Sequence, residues 1–74
     1  MKYIFTCSTN YVAIDSTGYP YLTENYLRVS TFDTVKEALA YKKHFPEEAW
    51  KLRRLYGLNF SLPMTPREVA EEVG

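Results

Sequence analysis

Cysteine and histidine each occur once, as Cys7 and His44, and they are the one nucleophile–base pairing that the composition offers. Group transfer through a thiolate would need the two within hydrogen-bond reach, with a third group orienting the imidazole. Cys7 stands in an aromatic and β-branched run, and His44 follows two lysines at the end of a helical pattern. Those settings read as a buried, inert thiol and as a surface histidine whose charge suits a helix C-terminus. One cysteine and one histidine fall short of a structural zinc site. Asp15, Asp33 and the glutamates lack the spacing of a carboxylate metal site, and the three glycines, at 18, 57 and 74, stand too far apart for a phosphate loop. The expectation is a non-enzymatic chain with no catalytic, metal or cofactor residues.

The second chemistry on offer is aromatic and basic. Seven tyrosines are many for 74 residues. Tyr19 and Tyr21 with Lys51, Arg53 and Arg54 would bind single-stranded nucleic acid if one sheet face gathered them, because rings stack on bases and cations pair with phosphates. The competing reading is that tyrosines fill a small sheet while the cations solvate its outside. Nine basic and nine acidic side chains cancel. Such a balance argues against a dedicated duplex binder, whose affinity rests on neutralising phosphates. Lys42 falls within an apolar helical stripe, where its stem can cover the core edge while the ammonium reaches water.

The elements that must position these residues are legible. Residues 32–45 carry every local helix signal. Thr34 is an N-cap with Glu37 three residues on, which makes a capping box. Lys42, Lys43 and His44 suit the last turn, and Pro46 ends the helix. Val35, Ala38, Leu39, Tyr41 and Phe45 share one face at helical spacing. Before this helix, residues 2–8 and 11–15 alternate as strands, and Asp15 to Gly18 is a strong turn. Residues 19–22 return antiparallel, and Pro20 places them at an edge. Residues 27–31 read as a further short strand. The chain is therefore expected to be one α+β domain. A small antiparallel sheet of three to four strands packs on a central helix at 34–45.

Residues 47–62 have two readings. Pro46, Glu47 and Glu48 would open a helix that ends at Gly57. Alternation of Trp50, Leu52, Tyr56, Leu58, Phe60 and Leu62 with polar neighbours favours a long strand instead. Thr65-Pro66-Arg67-Glu68 is a second capping box and opens a short helix at 66–73, with Val69, Ala70 and Val73 as its apolar stripe. The long strand outlasts its neighbours, so its edge and its apolar face predict a protein-binding surface of Tyr56, Leu58, Phe60, Leu62, Val69 and Val73. A twofold homodimer would cover it.

A lone cysteine excludes an internal disulfide, and the opening residues are too short a run for a signal-peptide core. No apolar run approaches the roughly 20 residues that span a bilayer. A cytoplasmic protein without membrane contact is the expectation. The order of signals resembles small proteins carried by phages and prophages. The shared features are an aromatic opening strand, Tyr21-Leu22, Phe32-Asp33-Thr34 before Glu37-Ala38, and Trp50-Lys51-Leu52, over about residues 2–56. That resemblance implies a strand-rich α+β fold and an accessory role toward a host protein. The resulting functional expectation is a small protein-interaction module, with single-stranded nucleic-acid binding as the alternative.

Overall fold

The computed structural model describes residues 1–46 and 48–73. Glu47, in the alternative helix opening, and Gly74 lie outside the described residues. The chain is α+β. Five strands, β1 (Lys2–Cys7), β2 (Asn10–Ile14), β3 (Pro20–Thr23), β4 (Lys51–Tyr56) and β5 (Asn59–Phe60), form one sheet in the order β3-β2-β1-β4-β5. All neighbours are antiparallel. Helix α1 (Val35–His44) and helix α2 (Pro66–Val73) lie on the same face of it.

Helix α1 forms as its sequence demands. The Thr34 hydroxyl accepts from the Glu37 N–H at 3.1 Å, and Lys42, Lys43 and His44 occupy the last turn. The reciprocal bond of the box shifts by one residue, since the Glu37 carboxylate accepts from the Asp33 N–H at 3.4 Å. Thr34→Ala should therefore cost about 1 kcal/mol in chemical denaturation. A loss under about 0.2 kcal/mol would mean that water replaces the hydroxyl without penalty. Val35 and Ala38 are buried, and Leu39, Tyr41 and Phe45 pack around them.

The chain departs from its sequence reading in three places. The sheet has five strands rather than three or four, because the alternating stretch at 50–62 is not one strand. It turns at Gly57, whose φ of +60° suits the first position of a two-residue hairpin loop. Its second half then lies along its first. Leu55 pairs with Phe60, the Ser61 N–H donates to the Arg54 carbonyl at 2.8 Å, and the Met64 N–H donates to the Leu52 carbonyl at 2.8 Å. The edge that was expected to lack an internal neighbour has one. For residues 51–56 the strand reading holds and the helical reading falls.

Residues 27–31 are not a ladder strand either. Asn25 caps a 3-10 turn at Tyr26–Arg28. The chain beyond it wedges between β1 and β2. Those strands pair only at Thr6–Tyr11 and Cys7–Asn10, then part. Phe32 bridges Tyr3 of β1, while the Ser30 N–H donates to the Val12 carbonyl of β2 at 3.2 Å. Ser30 Oγ accepts from the Ile14 N–H at 2.8 Å. The backbone groups that the split would orphan are thus satisfied by the wedge.

Burial is two-sided, which a single helix layer does not explain. Tyr3, Ile4, Phe5 and Thr6 are consecutively buried. Tyr3 and Phe5 face the helices with Val12, Trp50 and Leu52. Ile4, Thr6 and Ala13 are buried on the far face, where the sheet curls over itself. The Tyr11 ring of β2 lies 5.5 Å from Tyr26 and 5.9 Å from Phe60 of β5, although β1 and β4 separate those strands. Tyr26 Oη donates to the Gly57 carbonyl at 3.0 Å and holds the crossing in place.

Candidate functional site

The aromatic residues of the helix face form a continuous wall. Phe5 lies 5.6 Å from Phe32 and 5.4 Å from Trp50. Tyr41 stacks on Trp50 at 6.4 Å with ring planes 8° apart, and it lies 5.0 Å from Phe45. The Tyr19 ring reaches Phe45 at 5.7 Å. Tyr41 Oη donates to the Gly18 carbonyl at 3.0 Å, which ties α1 to the β2–β3 turn. Burial pushes the Tyr41 phenol above its ordinary value. The turn itself is built by Asp15, whose carboxylate accepts from the Thr17 hydroxyl and from the Thr17 and Tyr19 N–H groups. Those bonds, that from the Thr17 hydroxyl foremost, hold the Asp15 carboxyl below its usual range.

Beside this wall the α1–β4 connection and β3 enclose a cleft of about 300 Å³. Its lining is Cys7, Pro20, Tyr21, Leu22, Phe45, Ala49 and Trp50. None of these described residues is charged. Pro46 ends α1, so Phe45 turns off the helix as one wall. The end of β1 supplies Cys7, and the edge strand β3 supplies the opposite rim. Tyr19, Tyr21 and Leu22 are large apolar side chains exposed there, Tyr19 by 63%.

The residues expected to form one protein-binding face are dispersed. Tyr56 follows Leu52 and Arg54 on the helix side of β4, and Leu58 is the hairpin tip. Phe60 lies on the far face against Tyr11. Leu62 is exposed in the segment beside β4. Val69 packs on the core, and Val73 is partly exposed at the end of α2. Leu58 and Leu62 are over 80% exposed, at 81% and 84%, whereas Val69 packs on the core.

The nucleic-acid set is likewise divided. Tyr19 leans on Phe45 at the helix side, whereas Tyr21, opposite Ala13, is on the far face. Lys51, opposite Thr6, is exposed on that far face. Arg53 is engaged internally. Its Nε donates to Thr6 Oγ1 at 2.8 Å, its Nη1 donates to the Ser61 carbonyl at 3.0 Å, and its guanidinium sits 5.3 Å from the Phe60 ring centre. Arg54 lies across the sheet on the helix side, bonded to Glu68 at 2.8 Å and to Glu72 at 3.3 Å. Tyr11, Tyr26 and Phe60 meet edge to face, so their rings cover one another rather than offering flat platforms.

Arg54 docks α2. The two glutamates stand one turn apart, and Glu68 also completes the capping box with Thr65, accepting from its N–H at 3.1 Å. The Arg54 hydrogen bond, followed by those from Thr65, holds the Glu68 carboxyl below its ordinary value. A carboxyl depressed in the folded state stabilises fully above its unfolded value, about pH 4.3, and that contribution is lost as pH falls through the folded value. Helix α2 should therefore undock first on acidification below about pH 4, read from the Val69 and Val73 methyl resonances. The pH dependence should flatten in Arg54→Met. A release midpoint that ignores that substitution would assign the docking to the apolar contacts of Met64 and Val69 alone.

Cys7 is half-buried in the cleft, and His44 is exposed in the last turn of α1, with no described hydrogen bond joining them. Among the described residues no group of three metal-ligating side chains gathers. Lys42 is half-buried beside Leu39 along a groove between α1 and α2. Sequence reasoning did not name Leu22, Phe45, Ala49 and Trp50 as a site. Its one usable signal was Pro20, which marks a sheet edge but says nothing of what lies next to it. No described helix is long and apolar enough to cross a membrane. No protein-family model matches the chain, and no curated protein or solved structure matches it either.

Proposed function

We propose that this chain is a non-enzymatic protein-interaction module that takes its partner at the β3 edge and the cleft beside it. The observation that carries the reading is the meeting of an uncovered edge strand, exposed aromatic and aliphatic side chains, and an uncharged cleft at one place. An uncovered edge strand presents free backbone groups with which a partner segment can pair, and a neighbouring cleft can select its side chains. The likeness to small phage-borne proteins makes a host protein the class of partner to seek first, in the cytoplasm.

The test is capture from host lysate by the chain and by a Tyr21→Lys, Leu22→Lys double variant, with and without nuclease. A partner retained through nuclease treatment and lost with the variant supports the reading. Recovery that nuclease abolishes, or that the double variant leaves intact, overturns it. The first outcome of those two would return the alternative, single-stranded nucleic acid.

A further inference from the structure

Backbone hydrogen bonding on β3 restricts how anything can bind there. The Asp15 N–H donates to the Tyr19 carbonyl at 2.9 Å, and the ladder continues as Ile14–Pro20, Ala13–Tyr21, Val12–Leu22 and Tyr11–Thr23. In an antiparallel ladder hydrogen-bonded pairs alternate with unbonded ones. Tyr19, Tyr21 and Thr23 therefore point their backbone groups inward, at β2. Pro20 and Leu22 point theirs outward. The opposite residues agree, since Val12 and Ile14 turn their groups away from β3, to Ser30. Proline has no N–H. The outer edge of β3 thus offers one donor, the Leu22 N–H, between the carbonyls of Leu22 and Pro20.

We infer that the partner is an extended peptide segment added to β3 as a sixth strand, with one large apolar residue paired to Leu22 and seated over the cleft. The inference rests on the reading of this surface as the partner-binding one. Strand addition takes affinity from main-chain bonds and specificity from alternate side chains. With a single outward donor, one register is favoured. The residue that exchanges both bonds with Leu22 lies directly opposite it, so its side chain shares the face of Leu22. That face carries Val12 and the uncharged cleft of about 300 Å³, room for one apolar side chain. Its two neighbours turn to the other face, beside Tyr21 and Thr23, where aromatic or β-branched residues pair well. The missing donor at Pro20 keeps the added strand short.

A second copy is the lesser occupant. A twofold pairing of β3 with itself would join strands of only four residues. A stable dimer buries roughly 1,200 Å², more than so short a strand pair supplies by itself.

The experiment uses the full chain and a library of random nonapeptides, followed by fluorescence anisotropy of the enriched sequences. Enriched peptides should share one apolar anchor between aromatic or β-branched neighbours. N-methylation of the anchor amide should weaken binding about tenfold, the worth of one backbone hydrogen bond. N-methylation of either neighbour, whose N–H points away from β3, should change it less than about twofold. Peptides lost with Leu22→Lys but indifferent to methylation at the anchor overturn strand addition and leave the surface standing. Peptides that ignore Leu22→Lys overturn the surface as well. A chain that sediments as a dimer at tens of micromolar, and as a monomer with Leu22→Lys, would give the edge to a second copy and overturn the peptide. An empty selection overturns it too, while the lysate comparison still decides the surface.

Discussion

Phe5→Ala should leave most of the chain unfolded at 25 °C. Phe5 is 1% exposed and touches both Phe32, from the wedge, and Trp50, at the end of the α1–β4 connection. Truncating a fully buried phenylalanine costs about 3 to 5 kcal/mol, the lost transfer energy plus the cavity. A chain of this size buries only about 60% of its unfolded surface and holds a few kcal/mol in total. The substitution therefore consumes most of the stability. Urea denaturation followed by tryptophan fluorescence, with amide dispersion in a proton spectrum, reads the result. A cooperative transition displaced by under about 1 kcal/mol would mean that the helix-side core refills the space, contrary to the contacts seen.

Ile4→Ala should cost about 2 to 4 kcal/mol, nearly as much, although Ile4 points away from both helices. A sheet covered on one side only would make this a surface change worth under about 0.5 kcal/mol. Ile4 is fully buried because the far face closes through Tyr11, Tyr26 and Phe60. Leu27→Ala is the control, since Leu27 is exposed in the 3-10 turn of the same crossing segment. It should move the midpoint little. If Ile4→Ala and Leu27→Ala behave alike, the far face opens in solution and the tyrosines there become free to bind.

These two results bear on function as well as on stability. A closed far face removes most of the aromatic surface that a base-stacking mode would use, and Arg53 is part of what closes it. Tyr19, Tyr21 and Leu22 at the β3 edge stay exposed whether or not that face closes.

Local chemistry was enough for both helices and for most strands. Thr34, Glu37 and Pro46 delimit α1, and Thr65, Pro66 and Glu68 open α2, because caps and proline act within one turn of chain. The alternation at 2–8 and 11–15, and Pro20 as an edge mark, depend only on neighbours in sequence, and the strands form within a residue of those bounds. Alternation is blind to direction, however. Period two, broken only at Arg54 and Leu55, carries on through a two-residue turn, so Trp50 to Leu62 reads as one strand although the chain reverses at Gly57. Pairing partners were also hidden. That Ser30 and Phe32 would fill a split between β1 and β2 depends on backbone groups far apart in sequence. The candidate site is wholly of this second kind. Leu22, Phe45 and Trp50 are unremarkable one by one, and only the sheet order that puts β3 at the rim, with α1 ending over it, brings them to a common cleft. Local rules decide what each segment becomes, because their energies lie within a turn or a pair. The meeting of distant segments, and the one donor that β3 leaves facing outward, follow from closing the whole sheet.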